Sequence, residues 1–170
     1  NQVSIDERPA IVDARGRLGD WEGDTVIGKQ HQGALVTLVE RKSLYTVMQA
    51  VIHRTADAVR EAVTEMLTPF IELVHTITYD NGREFADHEG MASDLEADIY
   101  FAHPYSSWER GVNENTNGLI RQYFPKSRNL TTVTLDELEH AMEKLNHRPR
   151  KTLGYRTPHE VLFKTKDFAN

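Results

Sequence analysis

The sequence predicts an α/β fold: a mixed five-stranded sheet with helices on its faces. Three observations lead there. Three strand-like segments follow one another before any long helix begins. Strand-like and helix-like segments then alternate, the pattern that extends a sheet and covers its faces. The chain has 170 residues and 39% hydrophobic content, enough for one domain with a buried core.

The elements can be justified in order. Residues 1–17 are polar and contain Pro9 and Gly16. They read as an arm or linker, which leaves 18–170 as the domain proper. Residues 19–28 are the first strand. Ala34-Leu35-Val36-Thr37-Leu38-Val39 is a near-continuous apolar run, as expected of a strand buried on both faces. Arg41-Lys42-Ser43 is a short turn, and Leu44 to Val51 alternates enough for a third strand. Thr55 is the N-cap of a helix whose residues Ala56, Val59, Val63, Met66 and Leu67 fall at helical spacing. Val74 to Tyr79 is the fourth strand, ended by Asp80-Asn81-Gly82. A short helix carries Met91 and Leu95, Asp98 to Ala102 is the fifth strand, and a helix runs from near Ser106 to about Phe124. Two helices close the chain from about residue 134. Thr134 with Glu137 makes a capping box, and Val133 with Leu138 a hydrophobic staple. Thr157-Pro158-His159-Glu160 is a second capping box with Pro at the first helical position.

Composition narrows the functional classes. The chain has no cysteine, which excludes disulfides and thiolate metal sites and fits a reducing compartment. No apolar run approaches the roughly 20 residues of a membrane span, and no signal peptide is visible. The first residues are Asn1-Gln2-Val3, without Met, which reads as a piece excised from a longer protein. Net charge is −6, but it is unevenly spread. Residues 1–100 carry 9 Lys and Arg against 18 Asp and Glu, a balance of −9; residues 101–170 carry 11 against 8, or +3. An acidic and a basic half meeting at one cleft would place metal on one side and phosphate on the other. Ordinary surface scatter is the alternative.

Three acids stand in unusual places. Asp20, Glu22 and Asp24 alternate along the first strand and so share a face. They read either as the solvent face of an edge strand or as a functional row. Gly23 beside Asp24 marks close approach by a ligand or another backbone. Asp80 sits at the carboxyl end of a strand, where open α/β sheets place ligand-binding groups, though Asp-Asn-Gly also makes a simple turn. Glu114 lies in Trp108-Glu109-Arg110-Gly111-Val112-Asn113-Glu114-Asn115-Thr116-Asn117-Gly118, where each glycine costs a helix roughly 1 kcal/mol against alanine. Yet Val112, Thr116, Leu119, Ile120 and Tyr123 trace a helical stripe. Such conflicts between local preference and global pattern mark functional sites. The opposite stripe, Arg110, Glu114, Asn117 and Arg121, would otherwise be a solvated face with an Arg110–Glu114 pair. Glu109 is set aside as the third residue of a capping box opened by Ser106. Phosphodiester chemistry needs an activated water or hydroxyl and a stabilised leaving oxygen. Two divalent ions about 3.5–4 Å apart supply both, and Mg²⁺ needs only a few carboxylates.

With Asp24, Asp80 and Glu114 identified, the sequence resembles the catalytic domain of DDE-type insertion-sequence transposases, integrase-core proteins with an RNase H-like fold. Asp80 and Glu114 are separated by 33 residues, a spacing typical of that group. The resemblance is strongest to the IS-thirty family. It is carried by GDWEGDTVIGK (19–29), ALVTLVERKS (34–43), YDNGREF (79–85), YFAHPYSSWERGVNENTNGLIRQYFPK (100–126) and LNHRPRKTLGYRTPHEVL (145–162). The resemblance implies that Asp24, Asp80 and Glu114 are catalytic metal ligands for DNA end cleavage and strand transfer. Mg²⁺ is the implied cofactor, with Mn²⁺ as a substitute and two ions expected when DNA is bound. It further implies double-stranded DNA as partner, a homo-oligomer on that DNA, a separate N-terminal helix-turn-helix region, and a cytoplasmic setting on the bacterial nucleoid. Relatives commonly carry His where this chain has Asp20.

Further residues are candidates for DNA contact. Asn81, Asn115, Asn117 and Arg121 could orient the substrate backbone, and Lys126, Arg148, Arg150 and Lys151, with Arg156, could meet phosphates. A solvated basic loop is the alternative for the last group. His103 either caps a strand end or touches DNA; Tyr105 and Trp108 either pack or stack on an unpaired base. Two rival functions remain open: a structure-selective nuclease on the same fold, and a non-catalytic DNA-binding module.

Overall fold

Five strands form where the apolar runs predict them: β1 (Asp20–Ile27), β2 (Ala34–Glu40), β3 (Thr46–Val51), β4 (Thr76–Tyr79) and β5 (Asp98–Phe101). They join in the order β3-β2-β1-β4-β5. β1, β2 and β3 pair antiparallel, whereas β1 with β4 and β4 with β5 pair parallel. The sheet is therefore mixed, and β1 is its centre. The structure, a computed structural model, describes residues 1–106, 109 and 111–164, with the backbone alone for Gly111, Asn113 and Glu114.

Two hydrophobic layers flank the sheet. On one face, Trp21, Val36, Leu38, Ile77 and Tyr79 pack with residues of α2 (Ala56–Leu67) and α3 (His88–Leu95). On the other, Val26, Leu35 and Met48 pack with α4 (Gly111–Tyr123) and α5 (Leu135–Asn146) through Ile120, Leu138 and Leu145. Successive residues of β2 enter opposite layers, so every residue of that strand is buried, as its unbroken apolar run requires. Each large side chain removed from water in these layers contributes roughly 1.5–3 kcal/mol. Thr55 caps α2, Thr134 and Glu137 form the reciprocal capping box of α5, and Thr157 caps the last helix, α6 (Pro158–Phe163). Among the described residues, no helix is long and apolar enough to cross a membrane.

The first residues are docked onto the domain. The short helix α1 (Ala10–Asp13) buries Val12 completely. Ser4 bridges Phe101 beside β5, and the buried Arg8 donates to Thr78 Oγ1 at 3.1 Å. Asn146 at the end of α5 satisfies both backbone groups of Thr46, at 2.9 and 2.8 Å, which pins that helix to edge strand β3.

One local expectation changes. The long helix spans Gly111–Tyr123, and its expected start near Ser106 falls on residues 107, 108 and 110, outside the described residues. The Glu109 carboxylate accepts from the His103 backbone N–H and pairs with His103 Nδ1, both at 2.9 Å. It ties the end of the β5 loop instead of completing a capping box. Trp108 and Arg110 lie outside the described residues.

Candidate active site

β1 and β4 run parallel, with Asp20 opposite Thr76 and Glu22 opposite Thr78. Carrying that register two residues further sets Asp24 beside Asp80. Both are only partly buried. Asp80 stands just past the carboxyl end of β4, where an open α/β sheet presents its ligands, and Asp24 lies within β1, two residues past the last described pairing of β1 with β4. Asp24 Oδ1 accepts the Thr25 N–H at 2.8 Å, and its Oδ2 accepts the Asn117 side-chain amide at 2.9 Å. Asp80 Oδ1 accepts the Gly82 N–H at 2.8 Å, the local turn that Asp-Asn-Gly favours. The Asn117–Asp24 bond fixes α4 against the strand, and Glu114 lies on that helix one turn before Asn117. The Glu114 side chain is outside the described residues. Among the described residues, no three His, Asp or Glu side chains cluster as metal ligands.

The rest of the acidic row is structural. β1 is central, so Asp20 and Glu22 do not face solvent; they are 1% and 0% exposed. Asp20 takes a two-pronged contact from Arg17 at 2.9 and 3.0 Å and the Thr76 hydroxyl at 2.8 Å. Glu22 is paired with the buried Arg41, whose pKa burial lowers although Glu22 opposes the shift. Arg41 lies in what reads locally as a turn, and only the fold reveals its partner. Gly23 also has a different reason from the expected ligand approach. A Cβ there would lie 2.1 Å from the Tyr79 ring. That ring is buried and stacked on Phe85 with centroids 4.2 Å apart, and burial pushes its phenol pKa up.

The candidate DNA contacts divide into two groups. Asn81 donates to Ala102 O at 2.7 Å. Arg121 donates to Ile27 O at 3.0 Å and Phe124 O at 3.4 Å, and its pKa is lowered by desolvation. Arg150 departs from the picture of a surface phosphate contact: it is 7% exposed and donates to Leu145 O at 3.0 Å. Asn115, Lys126, Arg148 and Lys151 are exposed. Arg156 is exposed and donates to Leu153 O at 2.9 Å. Asp80, Asn81 and Gly82 form one side of an open cavity, facing Ala102, His103, Pro104 and Tyr105. Tyr105 is fully exposed, so it fills no core. His103 is held by Glu109 on one nitrogen and by Asp6 on the other, at 3.0 Å.

Sequence comparison finds relatives named as transposases. The chain is 49% identical over 159 residues to the transposase for insertion sequence element IS4351 of Bacteroides fragilis, covering 94% of this chain and 49% of that protein. It is 43% identical over 163 residues to transposase InsI for insertion sequence element IS30A of Escherichia coli, covering 95% of this chain and 42% of the relative. Over nearly its whole length, the chain is similar to transposases of the IS-thirty family. It spans about half the length of the curated relatives it matches. No family model matches the chain. Among solved structures, the catalytic core domain of BIV integrase superposes with a TM-score of 0.65 at 22% identity, over 87% of this chain and 95% of that one. The fold is that of an RNase H-like integrase core.

Sequence reasoning missed Glu84. It lies inside the quoted YDNGREF stretch, but nothing in its spacing distinguishes it from a surface acid. In the fold it is 8% exposed, and its Oε2 accepts the Thr25 hydroxyl at 2.8 Å.

Proposed function

We propose that this chain is the catalytic core of a DNA transposase, which cleaves phosphodiester bonds at insertion-sequence ends and joins the freed 3′-hydroxyls to target DNA. The observation that carries this reading is the pair Asp24 and Asp80, only partly buried just past the described parallel pairing of β1 with β4, with the Glu114 helix bonded to the same site through Asn117. Relatives named as transposases at 43–49% identity support it. Asp24, Asp80 and Glu114 are the proposed catalytic acids.

The donor chemistry fits a small divalent cation. Carboxylate oxygens suit Mg²⁺, and Mn²⁺ accepts the same ligands. The backbone N–H groups of Thr25 and Gly82 and the Asn117 amide orient the two carboxylates without neutralising them, which is how outer partners of metal ligands act. When bound, two such ions would polarise the scissile phosphate and lower the pKa of the attacking water or hydroxyl. Asn115, Lys126, Arg148 and Lys151 are proposed to meet the DNA backbone from the surface. Asn81, Asn117, Arg121 and Arg150 hold the platform beneath. Joining two element ends calls for two copies or more on double-stranded DNA, in the cytoplasm.

The test is strand transfer from a precut end into a duplex by the intact protein. Asp24→Asn, Asp80→Asn or Glu114→Gln singly should lower it by about 10³-fold or more while circular dichroism is unchanged. Full activity in any one would sink the assignment. Hydrolysis of an RNA–DNA hybrid without joining would mark a nuclease instead. Metal-independent binding without cleavage would mark a non-catalytic module.

A further inference from the structure

Behind the carboxylate pair lies a buried contact on the other face of β1. Side chains alternate along a strand, so Thr25 points away from Asp24, toward the layer that holds Tyr79 and Phe85. There the Glu84 carboxylate accepts the Thr25 hydroxyl at 2.8 Å and meets Arg54 Nη1 at 3.3 Å. The same carboxylate lies against the Asp80 turn. A Cβ on Gly82 would fall 1.9 Å from Glu84 Oε1 and 2.9 Å from Asp80 Oδ1. Glu84 therefore touches the residue after Asp24 and packs against the glycine whose N–H orients Asp80.

We propose that Glu84 is a positioning residue that locks the Asp80 turn to the Asp24 strand from behind the site. This rests on the reading of Asp24 and Asp80 as metal ligands. Two ligands on separate segments hold a cation only if their separation is fixed. The strand pairing of β1 with β4 is described as far as Glu22 and Thr78. Past that point side chains also link the two segments. Phe85 stacks on Tyr79 over Gly23 to form the apolar bridge, and Glu84 with Thr25 forms the polar one. Arg54 balances the charge that burial would otherwise penalise. Outer-shell partners of this kind typically govern metal affinity by 10–100-fold.

The test uses two readouts on this chain: amide hydrogen exchange at Gly82 without metal, and the Mn²⁺ dissociation constant by calorimetry. Glu84→Ala should speed Gly82 exchange and raise the Mn²⁺ constant, each by about 10-fold or more. Glu84→Gln keeps an oxygen acceptor for Thr25 and should stay within about 3-fold of the parent. Thr25→Val should reproduce the Glu84→Ala effect, and Thr25→Ser should restore parent behaviour. The Thr25 pair decides the question even if Glu84→Ala fails to fold. Unchanged exchange and affinity in Glu84→Ala and Thr25→Val, with Mn²⁺ binding lost in Asp24→Asn, would overturn the positioning role alone. Equal damage from Glu84→Gln and Glu84→Ala would also overturn it, because the charge and not the Thr25 bond would then matter. Undiminished Mn²⁺ binding in Asp24→Asn would remove the metal-site reading itself, and this inference with it.

Discussion

The two ends of the β1/β4 pair carry the same chemistry in opposite circumstances. At the amino end, Asp20 and Glu22 are buried, and each is matched to an arginine, Arg17 or Arg41. Two residues further along the same face, Asp24 is only partly buried, and its donors include the Asn117 amide and the Thr25 N–H. A buried carboxylate must be paired or it destabilises the fold. A carboxylate at an open strand end can remain charged toward solvent and be available to a cation or substrate. Residue type and strand position therefore do not separate a structural acid from a functional one. Depth along the strand does.

Substitution at the two ends should break apart two properties. Removing one partner of the buried Glu22–Arg41 pair, by Glu22→Ala or Arg41→Ala, should cost about 3–5 kcal/mol, measured by urea denaturation. Asp24→Asn should change stability by less than about 1 kcal/mol in the same titration while removing strand transfer. A collapse of stability in Asp24→Asn would erase the distinction between the ends.

The boundary between the ends is Gly23. Gly23→Ala should destabilise the domain by about 1–3 kcal/mol through overpacking against the Tyr79 ring. A melting experiment with the double variant Gly23→Ala, Tyr79→Leu should recover part of that loss. If the double variant melts no higher than the single, the ring is not the obstacle.

The smallest effect concerns the docked first residues. The hydrogen bond that the His103 ring donates to Asp6, with Glu109 on the other nitrogen, raises the His103 pKa above its ordinary value. A raised folded-state pKa means that the charged ring contributes fully at pH below the unfolded value, near 6.5. The contribution is lost as pH rises through the higher folded value. Proteolysis within residues 4–13 should therefore quicken modestly as pH rises above His103's ordinary pKa. His103→Gln should flatten that dependence. Equal pH profiles for the parent and His103→Gln would show that the ring does not hold the segment.

Much of the fold was legible because it rests on local periodicity. The unbroken apolar run of β2, the helical spacing after Thr55 and the capping box at Thr134 each depend on neighbours within a few residues, and each appears as read. The capping box expected of Glu109 was misread because its carboxylate is claimed by His103, six residues back, a competition that a capping pattern does not display.

By itself, the sequence determined the order of strands and helices and the place of Asp80 just past a strand end, because periodicity and turn chemistry are short-range. Only the tertiary structure decided which acids are buried. Glu22 meets Arg41 across a strand pair, Gly23 meets Tyr79 from 56 positions away, and Glu84 meets Thr25 from 59. Charge pairing and steric exclusion act through space, and the chain order holds no record of them until the sheet has formed.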